Sequence, residues 1–133
     1  MKLIGDLFLQ SGVQHDAGQI KSLLEINKMH AILQGHFPGF PVMPGVCMMQ
    51  AVKEIFELAF NVSVRITHGD NMKFLSVLEP ARNPLIEVTI QYTRSEIGYA
   101  INAMITSAGA TGAESPQTFF KFRGTYQLML NEA

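Results

Sequence analysis

Apolar and polar residues alternate along much of the second half of the chain. "SVRITHGDNMKF" (Ser63–Phe74), "LIEVTIQYTR" (Leu85–Arg94), "GYAINAMITSA" (Gly98–Ala108) and "TFFKFRGTYQLML" (Thr118–Leu130) show period-two patterning or near-continuous apolar character rich in β-branched and aromatic residues. Each therefore predicts a strand. "RSEIG", ending at Gly98, reads as a compact hairpin turn between the second and third of these. The N-terminal stretch through Asn27 predicts one or two more strands with a turn near "HDAGQ", whereas "LEINKMHAIL" has a mixed pattern.

One segment breaks the alternation. Gly45 to Phe60, "GVCMMQAVKEIFELAF", has no proline and no glycine after its first position, and Met, Ala, Leu and Glu dominate it. Those are helix formers, and Pro44 stands where a helix can begin. The polar residues Gln50, Lys53, Glu54 and Glu57 share one face at i, i+3, i+4 and i+7. The remainder is apolar on nearly every side, so the helix is predicted to be buried in a sheet of five or six antiparallel strands, an α+β arrangement. "SAGATGAESPQ" (Ser107–Gln117) reads as a loop within one domain spanning residues 1–133.

Composition narrows the classes of function. The 133 residues are 47% hydrophobic and carry 10 basic against 11 acidic side chains, a net charge of -1. Nucleic-acid binders cluster Lys and Arg, and no such cluster or polybasic membrane arm stands out. The single cysteine excludes an internal disulfide framework and fits a reducing compartment. Gly5 and Asp6 interrupt the apolar start, so no signal peptide is expected. No run approaches the roughly 20 apolar residues of a membrane span. A cytoplasmic protein follows as the expectation, without nucleic acid or membrane as partner.

The chemistry concentrates in "QGHFPGFPVMPGVCMMQAVKEI", Gln34 to Ile55. Pro38, Pro41 and Pro44 stiffen the segment carrying His36, because each fixes φ and lacks a backbone donor. Gly39 and Gly45 let backbone approach a ligand with no Cβ in the way. The N–H groups opening the helix, at Gly45 and Val46, have no intrahelical acceptor and suit developing negative charge. His36 supplies a side chain that exchanges protons near neutral pH. Base and oxyanion site together suit removal of a proton beside a carbonyl whose oxygen gains charge. His15, His30 and His68 lack such surroundings and read as structural, and Cys47 reads as a small hydrophobe.

"GHFPGFPVMPGV" resembles the active-site segment of the 3-hydroxyacyl-[acyl carrier protein] dehydratases of type II fatty acid synthesis, strongly over Gly35 to Ala51 and more weakly through "NMKFLSVLEP". The resemblance implies a hotdog fold, in which a curled antiparallel sheet wraps one long central helix. It implies His36 as catalytic base and an acyl carrier protein or coenzyme A thioester as substrate. Phe37, Phe40, Met43 and Met49 are the candidates to contact that substrate, and Met43, Met48 and Met49 read either as core or as a methionine-lined slot for its acyl chain. No cofactor or metal is expected. It further implies a homodimer whose two sites each draw on both subunits, with a hexameric trimer of dimers as a further assembly.

The sequence departs from that family at one position. The resemblance places a Glu or Asp, the acid that protonates the departing hydroxyl, fourteen residues after the histidine, where this chain has Gln50. An amide has no proton to give at neutral pH. Four residues further on, where the family has glutamine, stands Glu54, so the two residue types look exchanged. Positions i and i+4 lie about one turn, ~5.4 Å, apart on one helix face. Glu54 is therefore a candidate to reach the site through water or to hold Gln50 in place, against the plainer reading of a solvated or paired helix carboxylate. The leading expectation is a dehydratase with an altered acid. The alternatives are an inactive hotdog subunit that binds acyl carrier protein or pairs with an active paralogue, and an acyl-CoA thioesterase, against which the Pro-Gly loop argues. Arg65, Lys73, Arg82, Lys121 and Arg123 are candidates for a patch that docks an acidic carrier.

Overall fold

A computed structural model of the chain describes residues 2–34, 41–108 and 115–129. His36, Phe37 and Phe40, with the rest of 35–40 and the centre of the Ser107–Gln117 loop, lie outside the described residues. The elements run β1 (Phe8–Asp16), β2 (Gln19–Ile26), α1 (Ala31–Gln34), α2 (Gly45–Phe60), β3 (Val64–Phe74), β4 (Leu85–Ser95), β5 (Gly98–Ser107) and β6 (Thr118–Leu128). The strands form one antiparallel sheet in the order β1-β2-β4-β5-β6-β3. This is the hotdog arrangement expected from the loop and the buried helix.

Alternation decides which side of each strand meets α2. Ile86, Val88 and Ile90 on β4, Ile101, Ala103 and Ile105 on β5, and Phe120, Phe122 and Tyr126 on β6 are buried. They form one core cluster with Met48, Ala51, Val52, Ile55 and Phe56 of α2. Phe56 sits at its centre, edge-on to Tyr99 at 5.1 Å and to Tyr126 at 5.2 Å. Such aromatic pairs add to the area they bury. α2 ends at Asn61, which takes the left-handed conformation with φ 53° and ψ 50° and stops the helix in the manner of an αL cap.

Two details depart from the sequence-based picture. The mixed stretch contains the short helix α1, opened by the His30 ring, whose Nδ1 accepts the Ile32 N–H at 3.1 Å. Nor is α2 covered on every side, since Val46 is 62% and Leu58 52% exposed. The remaining boundaries follow the patterning closely, and β1 and β2 turn at Ala17 and Gly18 within the "HDAGQ" stretch.

Local geometry constrains two further positions. The β4–β5 hairpin closes at Gly98 with φ +149°, and a Cβ there would collide with the Tyr126 carbonyl oxygen. β3 carries two extra residues relative to β6, with register shifts between Ile66 and His68 and between Gly69 and Asn71.

The Tyr126 hydroxyl is buried and finds no hydrogen-bond partner among the described residues. Burial, reinforced by the Glu57 charge, pushes its phenol well above the usual range. An orphaned buried hydroxyl costs ~1–3 kcal/mol. Tyr126→Phe is therefore expected to leave stability unchanged or raise it by up to about 1 kcal/mol. A lower midpoint in urea unfolding would show that the hydroxyl is satisfied in solution.

Candidate active site

Gln50 and Glu54 lie one turn apart on α2, and their side chains meet. Gln50 Nε2 donates to Glu54 Oε2 at 2.9 Å. Only the amide nitrogen can donate to a carboxylate, so this contact fixes which end of the Gln50 amide faces Glu54.

Glu54 itself is only 4% exposed. Its carboxylate also accepts the backbone N–H of Leu3, at 2.9 Å to each oxygen, and that of Ile4 at 2.9 Å. All these donors are N–H groups, so the carboxylate is the acceptor throughout. The helix face expected to be polar and solvated is thus partly covered by the N-terminal segment, whose backbone supplies the partners that burial demands.

The same segment reaches the other side of the site. Asp6 Oδ2 lies 2.9 Å from His30 Nε2, and the Asn27 amide donates to the Asp6 carbonyl at 3.3 Å. Because His30 Nδ1 accepts from Ile32, Nε2 is the donor to Asp6. Residues 3–6 therefore bind α2 at one end and, at the other, the turn leading through α1 into the segment that carries His36.

At the start of α2, Pro44 is the cap residue, with φ -63° and ψ 142°. Its carbonyl accepts the N–H of Cys47 at 3.0 Å and of Met48 at 3.4 Å. Among the described residues the N–H groups of Gly45 and Val46 meet no acceptor, as the first turn of a helix dictates. The space a Cβ would take at Gly45 is filled by the Phe74 ring, whose Cε1 would lie 2.5 Å from it. Phe74 is held by stacking on Phe120, with ring centroids 5.1 Å apart. Here glycine admits an aromatic edge as well as leaving the backbone accessible.

An open hollow of about 410 Å³ adjoins this turn, lined by Met43, Gly45, Met48, Phe74, Val77 and Leu78 among others. Of the four residues expected along an acyl chain, Met43 lies in this hollow. Met49 packs against the core instead, and Phe37 and Phe40 fall outside the described residues. Met48, weighed with Met43 for a methionine-lined slot, also lies there, whereas Phe74, Val77 and Leu78 were missed as candidates. The alternation in "NMKFLSVLEP" marked the strand but gave no sign that its end closes over the helix.

The remaining candidates divide cleanly. Burial raises the pKa of the Cys47 thiol and leaves it a core side chain. His15 hydrogen-bonds the Tyr92 hydroxyl at 2.8 Å, and His68 lies 3.3 Å from the Thr67 hydroxyl. Arg65 is engaged by Gln127, and Arg82 pairs with Glu79. Lys73, Lys121 and Arg123 gather on the face of the sheet opposite α2.

Residues 12–112 match the ApeI-like family, described as ApeI dehydratase. Among curated relatives, the 3-hydroxyacyl-[acyl-carrier-protein] dehydratase FabZ of Rickettsia felis is 28% identical over 107 residues, covering 74% of this chain and 73% of its own. The same enzyme of Pelotomaculum thermopropionicum is 30% identical over 95 residues, covering 66% and 68%. Among solved structures, the dehydratase heterocomplex ApeI:P from Xenorhabdus doucetiae superposes with a TM-score of 0.70 at 14% identity, covering 90% of this chain and 97% of that one. An uncharacterized protein from Erwinia carotovora subsp. atroseptica gives 0.63 at 16% identity, covering 92% and 96%. At those identities the superpositions speak for the fold alone. The family match spans most of the chain, from β1 through β5, and on that ground the chain belongs to the ApeI-like dehydratase family.

Proposed function

We propose that this chain acts on 3-hydroxyacyl thioesters as a dehydratase-type protein of lipid synthesis, a single cytoplasmic hotdog domain, and that Gln50 slows its chemistry. The observation that carries the reading is the Gln50 amide, held by Glu54 one turn away on a helix whose first N–H groups meet no acceptor among the described residues. Elimination needs three things. A base, His36, removes the proton α to the thioester carbonyl. N–H groups at Gly45 and Val46 steady the oxygen that gains charge. A proton must then reach the β-hydroxyl as its carbon–oxygen bond breaks and the double bond forms. A glutamine orients that hydroxyl or a water but supplies no proton. General acid catalysis is worth ~10²–10⁴-fold, which sets the size of the expected deficit.

Glu54 is, in this reading, a structural partner of Gln50 and the N-terminal segment, and not the acid. Its oxygens are engaged by Leu3, Ile4 and Gln50, and the Gln50 amide stands between it and any substrate held against that face. The thioester would be carried by acyl carrier protein or coenzyme A. The hollow beside Met43 and Phe74 suits the start of its acyl chain.

Assembly belongs to the same proposal. β3 is an edge strand. Close by, Val46, Phe74, Leu75 and Val77 are 62%, 53%, 49% and 61% exposed. That apolar rim suits a homodimer paired through β3, bringing His36 of one copy toward Gln50 of the other, with a hexamer as a further stage. A second reading has the partner as a different subunit that carries the missing acid. The structural neighbour's description as a dehydratase heterocomplex favours it.

The substitutions that test the chemistry follow from the Gln50–Glu54 contact. Gln50→Glu is expected to raise the dehydration rate at least about ten-fold, read as 2-enoyl thioester formation, and His36→Ala to abolish it. Gln50→Glu also places two carboxyls within hydrogen-bond reach, so they share a proton and one titrates high. The exchanged pair Gln50→Glu/Glu54→Gln removes that like charge. Activity needs the carboxyl at position 50 protonated and falls as pH rises through its pKa. The falling limb should therefore lie at higher pH in the single variant than in the double. A wild type as fast as ordinary dehydratases, unaffected by Glu54→Gln, would sink the argument from a missing acid.

Glu54→Gln alone is expected to cost about 1–3 kcal/mol of stability through the Leu3 and Ile4 contacts, while kcat per folded molecule and its pH profile hold. A kcat loss at full stability would make Glu54 the acid. Light scattering of the purified chain is expected to give a dimer, and a monomer would redirect attention to the second-subunit reading.

A further inference from the structure

The outer face of the sheet, turned away from α2, carries a feature that the catalytic reading leaves unused. Register places its side chains in rows across the strands. Lys73 of β3 stands directly opposite Lys121 of β6, and the row continues to Met104 of β5 and Thr89 of β4. In the next row Arg123 stands between Asn71 and Asn102, and Gln91 follows. Together these rows line a hollow of about 330 Å³.

The charges in it are segregated. The chain as a whole is close to neutral, with 10 basic and 11 acidic residues, yet the lining contains three cations and no carboxylate. The nearest acids by register are Glu87, one row beyond Thr89, and Asp70, in the bulge beside Asn71. Among the described residues neither ion-pairs with Lys73, Lys121 or Arg123. Like charges directly opposite across two strands are destabilising, and an anion lying between them reverses the sign of that interaction. Neighbouring strands are ~4.8 Å apart and alternate residues on one strand ~6.8 Å apart. Three long cationic side chains rooted at that spacing can converge on one tetrahedral group.

We infer that this hollow binds a phosphate-bearing small molecule. The phosphate is held by Lys73, Lys121 and Arg123, and the polar remainder lies along Asn102, Gln91 and Thr89. Arg123 offers a planar donor fork to two oxygens, the lysines act as point charges, and the amides supply neutral donors and acceptors. The volume falls within the ~300–1,000 Å³ of small-ligand sites. Three cations on a near-neutral chain are too few for a nucleic-acid track. The site is on the opposite side of the sheet from Gln50, so its occupancy is separable from the proposed chemistry.

The test is a titration of the ¹⁵N-labelled chain with inorganic phosphate, against sodium chloride at matched ionic strength. It follows the side-chain amides of Asn71, Gln91 and Asn102 and the backbone amides of β6. Saturable shifts are expected with phosphate and not with chloride. Lys121→Gln and Arg123→Gln are each expected to weaken binding about ten-fold. Lys121→Gln relieves the like-charge pair, so the fold is retained and an unchanged or higher melting temperature verifies it. Non-saturating shifts, equal shifts in chloride, or unchanged affinity in both variants would overturn the inference. So would poly-glutamate that saturates the same amides and that phosphate does not displace, which would assign the face to an acidic protein.

Discussion

A carboxylate taken out of water has to be met by hydrogen-bond donors, and much of the site's geometry depends on how Glu54 meets that requirement. The donors come from three places: the amide of Gln50 on its own helix and the backbone N–H groups of Leu3 and Ile4. Leaving such a group unsatisfied costs more than an ordinary hydrogen bond contributes. The N-terminal segment is therefore drawn onto α2, and Asp6 is placed where His30 reaches it. One buried charge thus organises both flanks of the cleft. Gln50, the residue at which the sequence reading sets this chain apart from the dehydratases its loop resembles, donates to the same group.

The fold was largely legible because its signals are local. Period-two patterning marked β3 to β6 nearly to the residue, and α2 runs from Gly45 to Phe60 as its composition required. Strand order was not legible. Alternation says which face of a strand is buried but not which strand lies beside it, so the place of β3 at the far edge next to β6 needed coordinates. α1 was invisible for another reason: four residues are too few to show helical periodicity.

The site was legible in its residue types and illegible in its long-range contacts. Helical spacing put Gln50 and Glu54 on one face, and they do touch. The same spacing made Glu54 look solvated, because the groups that bury it come from some 50 positions earlier in the chain. Phe74 presents a similar case. Its strand was evident, but the lodging of its ring in the space that Gly45 leaves open depends on how β3 ends against α2. The five scattered basic residues could not be sorted by inspection. The register of β3, β5 and β6 separates two that are paired locally from three that converge.

The two bulges in β3 have a consequence for how its length can vary. A bulge shifts the sequence parity of the in–out alternation by one while later residues stay opposite their partners, and a second bulge returns the parity to its start. With Thr67 and Asp70 both inserted relative to β6, Met72 and Phe74 return to the face of Phe122 and Phe120, while Asn71 and Lys73 return to that of Arg123 and Lys121. Deleting either bulge residue alone would leave every other pairing with β6 in place, with Lys73 still opposite Lys121 and Phe74 still opposite Phe120. Deleting both would preserve the faces and shorten the strand. In this segment the length of β3 can vary by single residues at Thr67 and Asp70 without disturbing either surface of the sheet, whereas a change at a paired position has no bulge to absorb it.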